Sequence, residues 1–115
     1  MSRRAPGFAV ALVVVLAGAG RSAAESDSGR VVYEQRCAAC HGATGDGNGL
    51  AAAAMDPRPR NLRDAEFWRG RTPADVRQVV RDGKRGTLMA PFAGALSDAE
   101  IDAVVAYVES FRPGR

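Results

Sequence analysis

The chain has 115 residues, 46% of them hydrophobic, with 16 basic and 13 acidic side chains and a formal net charge of +3. This length suits a single domain, and the small net charge argues against a nucleic-acid-binding protein. Two cysteines and one histidine are too few for a structural zinc site, which needs four ligands.

Residues 1–24 have the organisation of a secretory signal peptide. Two arginines precede an apolar run at residues 8–19, and small residues follow it. The run is shorter than the roughly 20 residues that a transmembrane helix needs. We therefore expect cleavage after Ala24, release into the periplasm and a mature domain of residues 25–115. An uncleaved leader acting as a membrane anchor is the alternative.

The basic excess of the full chain comes from this leader. It contains three arginines and no acidic residue, so removing it leaves 13 basic and 13 acidic side chains. The mature domain then has no formal net charge, which removes any charge-based argument for nucleic-acid binding.

The first element of the mature domain is expected to be a helix at about residues 29–39. Apolar side chains recur there at helical spacing, after the N-cap candidates Ser26, Asp27 and Ser28.

This helix ends in the segment Cys37-Ala38-Ala39-Cys40-His41, which is the CxxCH attachment signature of a c-type haem. Thiols three residues apart lie on one helix face, where both can form thioethers with a single porphyrin. His41 would then be the proximal iron ligand. A thioredoxin-like pair would follow a β-strand, and no alternating run precedes Cys37.

Short elements are expected in the middle of the chain. Residues 42–49 are rich in glycine and short polar side chains and predict a loop. Residues 50–55 predict one or two helical turns, stopped by Pro57 and Pro59. A short helix is expected at residues 64–69, and nowhere does the mature chain show a convincing strand pattern.

Two longer helices have clear start signals. Thr72 with Asp75, and Ser97 with Glu100, have the spacing of capping boxes before apolar positions of helical period. Gly83 is expected to end the first of these helices, and a proline ends the second.

The sixth ligand of the iron decides between an electron carrier and an open, ligand-binding haem. His41 is the only histidine, so a second histidine ligand within the chain is excluded. Met89 lies in a loop marked by glycine and proline between the two capped helices, and it is our candidate. Met55 lies in an apolar turn that is more typical of packing, and an open position is the remaining alternative.

In combination, five segments resemble class I c-type cytochromes, particularly small bacterial single-haem proteins and the cytochrome domains of oxidases. They are CAACHG, ATGDGNG, PRPRNL, GTLMAPF and LSDAEIDAVVAYVESF. The resemblance covers residues 29–111 and implies an all-α cytochrome c fold, with about three main helices and short helical turns around one covalently attached haem. It also implies that the first and last helices cross at Gly29, Tyr33 and Tyr107. The ligand loop departs from the usual Met-Pro pair, because Ala90 follows Met89.

The same resemblance implies further site residues. A proline carbonyl, from Pro57 or preferably Pro59, would accept the Nδ1 proton of His41. The haem propionates would be contacted by Arg60, Asn61 and Trp68.

The implied function is electron transfer by a non-enzymatic carrier with one haem c. Its partners would be a membrane oxidase, a reductase or a dehydrogenase, met by a monomer in transient complexes. A haem subunit or gas sensor with an open or labile sixth position is the alternative. Residues 58–85 hold nine basic and four acidic side chains. This excess of positive charge indicates either a docking surface for an acidic partner or a solvated surface that has no partner.

Overall fold

The computed structural model describes residues 1–15 and 23–114, and within them it contains helices and loops but no β-strand. The helices are α1 (Ala23–Arg36), α2 (Ala38–His41), a 3₁₀ turn (Ala52–Ala54), α3 (Ala65–Trp68), α4 (Pro73–Asp82) and α5 (Asp98–Glu109). Three of them, α1, α4 and α5, are long. This architecture confirms the expected fold class of three main helices with short helical turns.

The first helix differs from the expectation at both ends. It begins at Ala23, so Ser26, Asp27 and Ser28 lie inside it and are not N-caps. Alanine and glutamate are good helix formers, which accounts for the earlier start. It ends at Arg36 because the backbone of Cys37 turns to φ −120°, and α2 starts one residue later.

Helices α1 and α5 cross in close contact. A Cβ atom at Gly29 would overlap the carbonyl oxygen of Ala103 in α5, so only glycine lets the two backbones approach this closely. Next to this point the ring of Tyr33 lies 5.3 Å from the rings of Tyr107 and Phe111. The expected crossing at Gly29, Tyr33 and Tyr107 is therefore confirmed.

Helix α4 packs on α5 and starts as its sequence predicts. The side chains of Thr72 and Ser97 each accept a hydrogen bond from a backbone N–H three residues on, and Asp75 and Glu100 complete the two capping boxes. Arg77 donates to Asp102 at 2.6 Å, which ties α4 to α5 on their exposed side.

The N-terminal residues 1–15 have no regular secondary structure and are exposed. Residues 16–22, which include part of the expected leader, lie outside the described residues. In the described part of the chain, none of the helices combines the length and the apolar character that a bilayer crossing requires.

Candidate haem site

The cysteines and the histidine lie together at the junction of α1 and α2. The amides of Cys40 and His41 both bond the carbonyl of Cys37, at 3.2 and 2.9 Å, which restarts the helix directly after the first cysteine. All three side chains are half-buried, and the two cysteines do not form a disulfide with each other. Burial, with a smaller effect of Cys40, raises the pKa of Cys37 to about 11. Until a thioether bond forms, Cys37 is therefore a protonated thiol at neutral pH.

The glycine-rich loop after the motif closes over the end of α2. Its amides donate to the carbonyls that the helix leaves open: Gly47 to His41 at 2.8 Å, and Gly49 to Cys40 at 3.1 Å. A side chain at Gly49 would overlap the carbonyl of Ala39, so the close approach requires glycine. Hydrogen bonds within the backbone thus hold the motif in place.

The buried hydroxyl of Tyr33 supports the same segment. It donates to the carbonyl of Gly42, the residue after the histidine, at 2.6 Å. Burial, followed by the influence of Cys37, raises the pKa of Tyr33, so the phenol stays protonated as this bond requires. Tyr33 therefore links the α1–α5 contact to the motif.

The orientation of His41 is set by a different carbonyl from the one expected. Its Nδ1 lies 3.1 Å from the carbonyl oxygen of Arg60, not of Pro59 or Pro57. Because a carbonyl only accepts, Nδ1 is the protonated nitrogen and Nε2 is left for a metal. Burial lowers the pKa of His41, and the bond to Arg60 opposes this shift only in part. The neutral imidazole that a metal requires is thus favoured.

These groups line a cavity of about 410 Å³, within the roughly 300–1,000 Å³ of small-molecule and cofactor sites. Cys37, Cys40, His41, Met89 and Pro59 all lie on its wall. Most of the wall is apolar, and most of its residues come from the segment 55–62, from α4 and from the loop after α4. A second, more open hollow of about 330 Å³ lies on the exposed side of α4 and contains none of the motif residues.

Both candidate methionines reach the cavity wall, and their surroundings differ. Met89 is half-buried and packs against the hydrophobic core, and its amide donates to the hydroxyl of Thr87 at 3.1 Å. Met55 is also half-buried but is not among the residues that pack on this core. The Met89 loop is fixed to α4 by the amide of Phe92, which donates to Val80 at 3.0 Å.

The expected propionate contacts are only partly supported. Trp68 is 3% exposed, does not line the cavity and donates its indole N–H to the carbonyl of Leu62 at 2.7 Å. The indole N–H of Trp68 already donates within the protein and cannot reach a ligand in the cavity. The expectation that Trp68 contacts a haem propionate was therefore wrong. The side chain of Asn61 accepts from the amide of Arg63 at 2.9 Å and is also absent from the wall. Arg60 does line the cavity.

Other cationic residues of the wall were not expected from the sequence. They are Arg36, Arg58, Arg71 and Lys84. The chain has many surface arginines, and the sequence alone does not indicate which cations lie at the cavity. The folded structure shows that these four do. In the part of the chain that the structure describes, no aspartate or glutamate lines this wall.

The residues present fit a haem. A flat apolar ring with two carboxylates needs an apolar hollow, iron ligands on its wall and cations around it. This cavity has an apolar wall, one histidine and two methionines as candidate ligands, and five cations, with two thiols on the same wall. An all-α fold that closes such a cavity over a CxxCH segment and a methionine defines a c-type cytochrome, a haem protein of electron transport.

The chain belongs to the family described as "Cytochrome C oxidase, cbb3-type, subunit III", whose model matches residues 24–108. Its similarity to two other proteins supports this family assignment. It is 37% identical over 86% of its length to "Dihydro-heme d1 dehydrogenase" of Pseudomonas aeruginosa, and 32% identical over 90% of its length to "Cbb3-type cytochrome c oxidase subunit CcoP" of Azospirillum sp.. The chain spans 18% and 34% of these two relatives, so it matches one part of each.

A solved structure of similar size supports the same class. The "KustC0563 c-type cytochrome" superposes with a TM-score of 0.63 at 27% identity, over 73% of this chain and 96% of that one. The chain is therefore a class I c-type cytochrome.

Proposed function

We propose that the chain carries one haem c, joined to Cys37 and Cys40 through thioether bonds and ligated by His41 and Met89. The observation that carries the proposal is that these four side chains line one largely apolar cavity. When bound, the haem supplies an iron that takes up and releases a single electron. The protein attaches it, orients its ligands and keeps water away from it.

The surrounding side chains suit an electron carrier better than an enzyme. The hydrogen bond from Nδ1 of His41 to Arg60 fixes the imidazole plane. Buried Val76 and Val80 give the wall an apolar surface that favours the lower charge of the ferrous state. Among the described residues, those that line the wall include no carboxylate that could act as a general acid or base.

The partners that we propose are redox proteins with acidic docking surfaces. The relatives named above are a dehydrogenase and an oxidase subunit. Residues 58–85 carry a balance of five positive charges, and five cations line the cavity. Opposite charges would speed the encounter and make it sensitive to salt. Electron-transfer rates that do not change with ionic strength would contradict this docking mode.

We also propose that the carrier works outside the cytoplasm, as the leader at residues 1–24 suggests. Sequencing the N-terminus of the protein isolated from the periplasm tests this proposal. A mature chain beginning near residue 25 is expected. A chain that keeps its leader and sediments with membranes would support the anchored alternative.

Attachment is tested by mass spectrometry of the exported protein. The mass should exceed that of the mature polypeptide by one haem, and replacing both Cys37 and Cys40 by alanine should remove this increment. An unchanged polypeptide mass in the wild type would refute the proposal.

The sixth ligand is tested by comparing Met89→Ala with Met55→Ala. Met89→Ala should abolish the weak long-wavelength absorption band of an iron–thioether bond and allow rapid binding of carbon monoxide. Met55→Ala, the matched control on the same wall, should retain the band. If Met55→Ala loses the band and Met89→Ala keeps it, Met55 and not Met89 is the sixth ligand of the iron. Its absence from the wild type, with rapid carbon monoxide binding, would favour the open haem.

A further inference from the structure

Met89 lies in a loop that leaves the end of α4 and returns to it. The helix ends at Asp82, and residues 83–91 form the loop. After the loop, the amide of Phe92 donates to the carbonyl of Val80 at 3.0 Å, which ties the returning chain to the last turn of α4. This bond fixes the base of the loop. The position of Met89 itself depends on contacts inside the loop.

The base of the loop is tight because the returning chain passes directly over Gly83. This residue has a φ of +71°, and a Cβ atom on it would lie 2.7 Å from the carbonyl oxygen of Met89 and 2.8 Å from the nitrogen of Pro91. Side-chain carbons do not approach backbone atoms this closely, so glycine is required there. The backbone of Met89 therefore rests against the end of α4.

Inside the loop, the hydroxyl of Thr87 makes two hydrogen bonds. It accepts from the amide of Met89 at 3.1 Å and donates to the carbonyl of Lys84 at 2.7 Å. The amide of Lys84 in turn donates to the carbonyl of Met89 at 3.1 Å. The peptide groups on both sides of Met89 are thus held, one by a side chain and the other by the backbone.

The Thr87 side chain lies on the cavity wall and is half-buried, but its hydroxyl acts within the loop. A hydroxyl carries one proton, and Thr87 donates that proton to Lys84. It has no second proton to donate to a ligand in the cavity. The hydrogen bonds of Thr87 therefore determine the shape of the loop that carries Met89.

We propose that Thr87 is the positioning residue of the sixth iron ligand, and that its hydroxyl fixes the backbone of Met89 so that the thioether stays on the iron. A thioether has no charge that draws it to the metal, so its ligation gains from a loop that is ordered before the bond forms. The hydroxyl thereby keeps the sixth position closed to small ligands. This inference rests on the proposed function, because it requires Met89 on the iron.

The test is the rate at which carbon monoxide binds to the ferrous holoprotein. Thr87→Val keeps the shape of the side chain and removes both hydrogen bonds of the hydroxyl. Carbon monoxide enters only when the bond between Met89 and the iron is open. Loss of a hydrogen bond that favours the closed form should raise the binding rate about tenfold. The hydrogen of the Met89 amide should also exchange with solvent faster in this variant, because its acceptor is gone.

Two further variants make the result interpretable. Thr87→Ser keeps the hydroxyl and should restore the wild-type behaviour. Ser110→Ala is the matched control, because the Ser110 hydroxyl donates to the carbonyl of Tyr107, also three residues earlier, and Ser110 does not line the cavity. Both variants should bind carbon monoxide within about twofold of the wild-type rate.

Equal rates of carbon monoxide binding in Thr87→Val and Thr87→Ser would overturn the proposal, since the hydroxyl would then have no effect. It is also overturned if Thr87→Val unfolds at a lower temperature while the binding rate and the Met89 amide exchange stay as in the wild type. Thr87 would then support only the fold.

The absorption band of the iron–thioether bond, the ligand band, is recorded first in the wild type. Its absence refutes the ligation by Met89 on which the proposed function relies. A wild-type protein that shows the band, with a Thr87→Val variant that binds carbon monoxide no faster than Ser110→Ala, refutes only the role of Thr87.

Discussion

The two sides of this molecule bury apolar surface in different ways. At the α1–α5 contact the side chains of Tyr33, Ile101 and Val104 are fully buried, and the protein fills its own interior. On the side formed by α4 and its loops, Val79 and Leu88 remain 37% and 68% exposed on the wall of a cavity of about 410 Å³. Protein interiors are normally close-packed. One side is therefore completed by the chain itself, and the other has the dimensions and lining of a cofactor site.

This contrast predicts different responses to substitution. Changes at the α1–α5 contact should lower the stability of the fold and leave the iron ligands alone. Changes on the cavity wall, such as Met89→Ala above, should alter the spectrum with smaller effects on stability.

The largest effect on stability is expected for Gly29→Val. The new side chain would overlap the backbone of Ala103, and neither helix can withdraw without opening the core. We expect a loss of about 3 kcal/mol in the free energy of unfolding, measured by denaturant titration of the holoprotein. The ligand band of the folded fraction should not change.

Gly94→Ala is the matched control, since a Cβ atom there has no neighbour within 4 Å. It should change the stability by less than about 0.5 kcal/mol. If both glycine variants are equally stable, the close crossing of α1 and α5 does not contribute to the stability of the fold.

An intermediate effect is expected for Tyr33→Phe, which tests the link between the two sides. It leaves the Gly42 carbonyl without its buried donor and should cost about 1–2 kcal/mol. Tyr107→Phe keeps the ring contact and should cost less than about 0.5 kcal/mol. Equal losses in thermal unfolding of the two variants would show that the Tyr33 hydroxyl contributes nothing.

The smallest effect is expected at the capping boxes. Ser97→Ala at the start of α5 and Thr72→Ala at the start of α4 should each cost about 1 kcal/mol. If the two sides differ as described, only Thr72→Ala should also weaken the ligand band on warming, because α4 contributes Val76, Val79 and Val80 to the cavity wall. A weakened band in Ser97→Ala as well would show that the two sides unfold as one unit.

The same capping boxes predict how the free energy of unfolding changes with pH under acidic conditions. The hydrogen bonds from Ser97 and Thr72 lower the pKa of Glu100 and of Asp75. A carboxyl whose pKa is lower in the folded state stabilises the fold above its unfolded pKa of about 4, and this contribution is lost as the pH falls through the folded pKa. Glu100→Gln should flatten the decline of stability below about pH 4. A decline as steep as in the wild type would contradict this assignment.

Much of the fold and part of the site could be predicted because the signals are local. The capping boxes of α4 and α5 lie within four residues of sequence, and the motif of Cys37, Cys40 and His41 within five. The start of α1 was mispredicted because its N-terminal residues continue a helix as readily as they cap one. Pro59 was preferred over Arg60 because adjacent carbonyls cannot be distinguished without the path of the backbone.

The sequence by itself determined the class of cofactor and the helical architecture, since both are written in short-range patterns of residue type. Only the tertiary structure decided that the Arg60 carbonyl orients His41, that Trp68 donates to Leu62 and that Arg71 lies against Phe67. These contacts join elements whose separation and direction depend on how α1, α4 and α5 pack. Their partners follow from the path of the backbone, which residue types alone do not specify.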